Sequence, residues 1–209
     1  MEKNKLFAIG IPTLNRYDLL EPALKSYCRS FNTEIFVVDN GKQDLTFQHE
    51  KIDYFPMLHN TGVAASWNFL CDHIFKRGYQ NAIILNDDIF WGATHTEVEA
   101  FLTRYSQKHF ITTPLDWCNF ILPKSTYVRI GRFDEQFFPA YFEDNDYDYR
   151  LKLEGLELYK HSFLLPVIHK VSQTSELDDS ILMEYEANKS RYIAKWGGEP
   201  LRELFLEPK

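Results

Sequence analysis

Residues 82–88 read Ala-Ile-Ile-Leu-Asn-Asp-Asp, four apolar residues followed at once by three polar ones. A short, continuously apolar run bounded by turn-forming residues predicts a strand buried on both faces, the kind that parallel sheets contain. Leu6-Phe7-Ala8-Ile9-Gly10-Ile11, halted by Pro12, has the same form, as does Glu34-Ile35-Phe36-Val37-Val38, closed by Asp39-Asn40-Gly41. Ile52 to Leu58 is a weaker strand of this type. Helical patterns lie between them. Leu19, Leu20, Ala23, Leu24, Tyr27, Cys28 and Phe31 form one apolar stripe at helical spacing, and Val63 to Phe75 carries a second helix. Asp18 with Glu21 three residues on is expected to cap the first helix, and Pro22 is tolerated so early in it. The β-α-β-β-α-β order predicts an α/β fold, a mainly parallel central sheet flanked by helices on both faces. Such sheets take their ligands beyond the carboxyl ends of the strands. Asp39 and the Asn86-Asp87-Asp88 cluster fall at two such ends.

The second half is more mixed. Thr96 and Glu99 are placed to cap a helix carrying Val98, Phe101, Leu102 and Tyr105. Short strands are expected at Phe110-Ile111-Thr112 and Asn119-Phe120-Ile121-Leu122, then an aromatic loop over residues 131–142. A helix begins near Glu143, another strand runs from Phe163 to Ile168, and a last helix runs from about Ser175 to Trp196. Gly197-Gly198 and Pro200 stop it. No internal repeat, low-complexity tract or linker interrupts the chain. One domain over 1–209 is therefore expected, with a first half of about 1–90 and a second of about 91–209.

Composition limits the function. The 209 residues are 44% hydrophobic, 25% charged and 16% aromatic, which excludes a disordered chain. With 23 basic against 30 acidic residues the net charge is −7, so nothing draws the chain to nucleic acid or anionic lipid. A phosphate-bearing ligand would need a metal or a local cation to meet it. Cys28, Cys71 and Cys118 are widely spaced, without metal-ligand spacing, and read as buried thiols of a reducing compartment. No apolar run approaches the ~18 residues of a membrane span, and the first residues do not form a signal peptide. A soluble, cytoplasmic protein is expected.

Four groups of residues can carry chemistry. Asn86-Asp87-Asp88 offers hard oxygen ligands suited to Mg2+ or Mn2+, although the same residues also make ordinary solvated turns. Glu143-Asp144-Asn145-Asp146, with Asp148 behind, can cap a helix, but these carboxylates repel one another more than capping requires. Asp146 and Arg150 stand at pairing distance along that helix, leaving Glu143 and Asp144 at its mouth. Asn60-Thr61-Gly62 opens a helix whose backbone N–H groups can cradle an anion. His169 and Lys170 follow the last expected strand; a lone His is more often structural than a ligand, and Lys170 reads equally as a surface charge or a ligand contact. No Walker or dinucleotide-binding glycine pattern occurs. Trp117, Phe138 and Tyr141 can stack on a flat ligand, although aromatics this common more often fill core.

In order and spacing these segments resemble the inverting family 2 glycosyltransferases of GT-A fold, particularly rhamnosyltransferase-like members. The resemblance spans about residues 6–175. Its matching stretches are Ile11 to Arg16, Val37 to Gly41, Asn60 to Asn68, Leu85 to Asp88, Gly131 to Glu135 and Tyr141 to Arg150, with His169 at the family's late metal-site histidine. It implies a metal-dependent enzyme that moves a sugar from a UDP-, dTDP- or GDP-sugar donor to a hydroxyl of a glycan or glycoconjugate acceptor. Rhamnose is the preferred sugar. Pro12, Thr13 and Asp39 would line the base pocket with Arg16 nearby, and Asn60 and Gly62 would add donor contacts. Asn86-Asp87-Asp88 takes the place of the Asp-x-Asp element, its Asn a departure shared with rhamnosyltransferase-like relatives. The resemblance gives Asp88 and His169 the Mn2+ or Mg2+, and Asp144, paired with Glu143, the role of catalytic base.

Two other readings of the same residues stand beside this one. A nucleotidyltransferase making sugar nucleotides uses a related scaffold, but it usually has a Gly-rich, Arg-containing loop that Ile11 to Arg16 lacks. A non-catalytic sugar-nucleotide or glycan-binding module would have no need of both the acidic pair and His169.

Overall fold

Strand β1 (Phe7–Thr13) is the centre of the molecule, and in the computed structural model it runs parallel to β2 (Ile35–Asp39) on one side and β4 (Asn81–Leu85) on the other. The structure describes residues 5–41, 45–105, 110–113, 116–156, 158–161, 167–169 and 179–209. Outward from β2 lies β3 (Ile52–Pro56), also parallel. Beyond β4 the sheet continues through β7 (Asp116–Pro123), β6 (Phe110–Thr113) and β8 (Leu158–Lys160), giving the order β3-β2-β1-β4-β7-β6-β8. Only β7 opposes the rest, pairing antiparallel with both β4 and β6. A separate antiparallel ribbon joins β5 (Ile89–Trp91) to β9 (Val167–His169).

Alternation along the strands divides the core in two. Ile9, Ile11, Ile35, Val37, Ile83 and Leu85 pack against α1 (Tyr17–Ser30) and α3 (His95–Arg104). Ala8, Phe36, Val38, Ala82 and Ile84 face α2 (Val63–Lys76), and the same layer takes in Tyr127 of α4 (Lys124–Ile130) and Tyr147 and Leu151 of α5 (Glu143–Leu153). Burial of each large apolar side chain contributes roughly 1.5–3 kcal/mol, so strands apolar on both faces settle only between two helical layers. Gly10 sets how closely α2 approaches. A Cβ there would lie 2.8 Å from Ile84 Cδ1 and 3.2 Å from Leu70 Cβ. A third cluster, Phe137, Phe142, Tyr149, Tyr192 and Trp196, binds α6 (Asp179–Trp196) to α5 and the loop before it.

The expected sheet and its two helical layers are present, and Cys28, Cys71 and Cys118 are free and buried. Trp117 is core, packed on Trp67, Phe120 and Tyr147. Several local expectations need correction. Arg16, not Asp18, is the N-cap of α1, without a side-chain cap, because Asp18 is engaged by the Arg16 guanidinium. Thr94 and Glu97 form the capping box of α3, two residues ahead of the expected Thr96 and Glu99. β7 begins three residues earlier than expected, and β5, β8 and α4 are additional. Lys170, residues 163–166 of the expected strand and residues 175–178 of the expected last helix lie outside the described residues.

Candidate functional site

The carboxyl ends of β1, β2 and β4 form one rim. Thr13 is paired in register with Asp39. At the adjacent end of β4, the turn at 86–88 is clamped on both sides: Asn86 N–H donates to Cys118 O at 2.9 Å, and Tyr27 Oη donates to Ile89 O at 2.6 Å. Thr13 Oγ1 crosses the rim and donates to Asp87 Oδ2 at 2.7 Å. Asp87 and Asp88 are each only 5% exposed. Burial pushes the Asp87 carboxyl up to about 7; the Thr13 hydroxyl opposes this shift and the Asp88 charge adds to it. Arg16, also buried, sends Nε and Nη2 to the two oxygens of Asp18, each at 2.9 Å. Its hydrogen bond to Asp18 raises the guanidinium pKa against desolvation, with the Asp18, Asp87 and Asp88 charges adding to it.

This pair of carboxylates fits a hard divalent cation. Two buried anions at a strand end are costly to hold charged, and a cation between them and an incoming diphosphate would offset that cost. Among the described residues no group of three His, Cys, Asp or Glu gathers to hold a metal. The β5–β9 register sets His169 opposite Ile89, the residue after Asp88.

Next along the rim, Asp39 accepts from Gly41 N–H at 2.7 Å and from Tyr54 Oη of β3, so its carboxylate is held at the end of β2. Asn40 is a residue that sequence reasoning took for a turn. Its Oδ1 accepts from Thr61 N–H and Oγ1 at 3.0 and 2.8 Å, and its Nδ2 donates to Ser66 Oγ at 2.6 Å. The end of β2 is thus fastened to the start of α2. Asn60 Oδ1 accepts from Gly62 N–H at 2.9 Å, and Gly62 takes φ +84°.

Glu143 and Asp144 open α5, after Tyr141 and Phe142, both left-handed at φ 74° and 73°. Such conformations cost non-glycine residues roughly 1–2 kcal/mol each and persist where surrounding contacts enforce them. Here Phe142 is packed in the third core cluster, and Asn188 Nδ2 holds the carbonyls of Phe138 and Ala140 at 3.1 and 2.8 Å. Glu143 is 5% exposed, its Oε2 has no hydrogen-bond partner among the described residues, and burial followed by the Asp144 charge raises its pKa well above the ordinary carboxylate range. Asp146 is structural. It accepts from Arg150 Nε at 2.9 Å, as their spacing predicts, and from Trp196 Nε1 at 2.8 Å.

The structure therefore brings Thr13, Arg16, Asp87 and Asp88 together, with Asp39 beside Thr13. It links Asn60 and Gly62 to this rim through Asn40. Asp144 lines a different cleft, between α5 and α6, with Tyr141, Phe142, Tyr185 and Lys189. Two contacts join the two regions: Val63 N–H donates to Pro139 O at 2.8 Å, and Tyr147 packs on Trp117 at the start of β7. Sequence reasoning missed Tyr185 and Lys189, which nothing local marks. It also missed Asn119, fully buried opposite Leu85, whose side-chain amide has no hydrogen-bond partner among the described residues; polar Asn inside an apolar strand was its signal.

By sequence, no protein-family model and no curated protein matches the chain. By structure it is similar to the mannosyltransferase PcManGT from Pyrobaculum calidifontis in complex with GDP-Man and Mn2+, with a TM-score of 0.59 at 15% identity over 77% of this chain and 55% of that one. The fold is GT-A. S. aureus TarS gives a TM-score of 0.56 at 14% identity over 71% of this chain and 33% of its own. The catalytic domain of Drosophila beta1,4galactosyltransferase 7, in complex with xylobiose, gives 0.53 at 12% identity over 81% of this chain and 72% of that domain. The chain spans about half the length of the mannosyltransferase and a third of TarS. Within the GT-A fold the rim at β1, β2 and β4 is the carboxyl edge of the parallel strands. Among the described residues no helix is long and apolar enough to cross a membrane.

Proposed function

We propose that this chain is a metal-dependent inverting glycosyltransferase that moves a sugar from a nucleoside-diphosphate donor to a hydroxyl of a glycan acceptor. The observation that carries the reading is the buried Asp87–Asp88 pair at the carboxyl end of β4, bonded to Thr13 across the rim of a GT-A sheet. Asp88, with His169, would hold Mn2+ or Mg2+, which supplies charge stabilisation to the departing diphosphate. Asp87, held by Thr13, would stand beside Asp88 on the donor side of the rim. Arg16 stands within the field of both carboxylates, and its partner Asp18 is largely exposed, so the guanidinium can exchange that partner for a phosphate oxygen. Pro12, Thr13 and Asp39 would border the base, with Asn60, Gly62 and Asn86 along the rest of the donor.

Asp144 is the proposed base. Its carboxylate would accept the proton of the acceptor hydroxyl as that oxygen attacks the anomeric carbon and the bond to the diphosphate breaks, inverting the centre. Glu143, buried behind it and inclined to keep its proton, limits the negative charge at the helix mouth. The test is a transfer assay over UDP-, dTDP- and GDP-sugars, beginning with rhamnose donors, with Mn2+ and a mixed glycan acceptor set. Transfer lost in both Asp88→Ala and Asp144→Asn, each still folded, is the expected result. Near-normal turnover in Asp144→Asn removes the assigned base.

A further inference from the structure

The cleft between α5 and α6 has a volume of about 260 Å3 and is bordered by Tyr141, Asp144, Tyr185, Lys189 and Glu199. Its wall is aromatic. The Tyr141 and Tyr185 rings meet edge to face at 5.3 Å and 74°, and Phe142 lies 5.2 Å from Tyr185, which is itself 39% exposed. Opposite the rings, Lys189 Nζ and Glu199 Oε1 form an ion pair at 2.9 Å, and both side chains are open to solvent. Tyr185 and Lys189 are four residues apart on α6, so they share a face. The buried face of that helix is fixed by Asn188 on the 138–140 backbone, by Trp196 on Asp146, and by Lys195 on Asp134 and Asp146 at 2.7 and 2.6 Å. The cleft is therefore preformed, and two strained residues, Tyr141 and Phe142, lie at its edge.

An open aromatic ring beside an exposed donor–acceptor pair is the chemistry that recognises a pyranose: ring face against C–H bonds, charged groups against hydroxyls. The volume suits one sugar ring and not an extended apolar ligand. Two carboxylates, Asp144 and Glu199, stand there against one ammonium, Lys189, which disfavours an anionic ligand. We infer that this cleft is the acceptor subsite and takes an uncharged terminal pyranose, with Tyr185 as its stacking platform and the Lys189–Glu199 pair reading its hydroxyls. The inference rests on the proposed transferase reading, which places the proton acceptor Asp144 at the same cleft.

The test is ligand-observed NMR and calorimetry with methyl pyranosides of glucose, galactose, mannose, xylose and rhamnose, and with methyl glucuronoside, all in the presence of Mn2+ and saturating nucleoside diphosphate. At least one neutral pyranoside should bind better than the glucuronoside. Tyr185→Ala should weaken that binding on the order of tenfold, and Lys189→Met should weaken it as well, while both variants stay folded and keep the nucleoside-diphosphate affinity of the wild type. Unchanged pyranoside affinity in both variants overturns the subsite, as does preference for the glucuronoside. Nucleoside diphosphate that binds with no pyranoside binding overturns the subsite alone. Failure of both kinds of ligand to bind removes the transferase reading with it.

Discussion

Val63 donates its backbone N–H to the carbonyl oxygen of Pro139 at 2.8 Å. That one bond ties the start of α2, which Asn40 fastens to the sheet rim, to the loop that delivers Glu143 and Asp144. The two halves of the proposed site are thus held by backbone, and a change at this joint should affect both.

Gly62 is the residue that makes the joint possible. Its φ is +84°, and a Cβ there would lie 3.0 Å from both Phe138 Cδ2 and Pro139 O. Gly62→Ala should cost about 1–3 kcal/mol from a backbone conformation that is essentially confined to glycine, ψ being 169°, with further loss from displacing Pro139. Urea unfolding should show the lower midpoint, and the transfer assay should show a raised KM for donor.

Thr13→Val deletes the hydroxyl that satisfies Asp87 and leaves a buried carboxylate with one fewer donor. The expected loss is about 1–3 kcal/mol at pH 8. It should shrink at pH 5, where Asp87, with its pKa pushed up to about 7, is protonated. Thermal melts of the two proteins at both pH values measure the difference.

Glu143 gives a pH dependence of definite sign. Its folded-state pKa is raised, first by burial and then by Asp144, so the native protein keeps a proton that the unfolded chain releases at ordinary carboxylate pH. Stability contributed at this position is therefore intact below the unfolded pKa and falls as pH rises above it. Glu143→Gln abolishes that fall. At pH 8 the variant should melt higher by about 2–4 °C for each kcal/mol recovered, whereas at pH 4 the two should coincide. Calorimetric scans across that range decide it.

Asp146 has Arg150, Lys195 and Trp196 around a fully buried carboxylate. Asp146→Ala takes one carboxylate from Arg150 and Lys195, which keep the Ile130 and Arg132 carbonyls and Asp134, and leaves Trp196 Nε1 without its acceptor, so it should destabilise by about 1–3 kcal/mol. The loss of α6 docking would appear as a change in Trp196 fluorescence before global unfolding in urea.

Much of the fold was legible because β1, β2 and β4 are buried on both faces, which writes them as unbroken apolar runs. β5 and β8, three residues each, are too short to leave a pattern, and β7 begins with the mixed Asp116-Trp117-Cys118. Thr94-x-x-Glu97 and Thr96 with Glu99 are two overlapping cap signals, and only packing of Val98, Phe101 and Leu102 on the core chooses between them. Asp18 failed as a cap because Arg16 competes for it. At the site, Asp87 and Asp88 stood out because polar residues directly follow a buried strand. Asn40 looked like any turn residue, since its bonds to Thr61 and Ser66 cross between elements. Tyr185 and Lys189 meet Asp144 only through the docking of α6, which no local pattern encodes.

The rim at Asp87 and Asp88 is proposed to bind a nucleoside diphosphate through a divalent cation. Calorimetric titration of UDP, dTDP and GDP into the wild type and Asp88→Ala, with Mn2+ and with chelator, measures it directly. At least one nucleotide should bind, with a requirement for Mn2+, and that binding should be lost in Asp88→Ala. Nucleotide binding of equal strength with chelator, or in the folded variant, would contradict it.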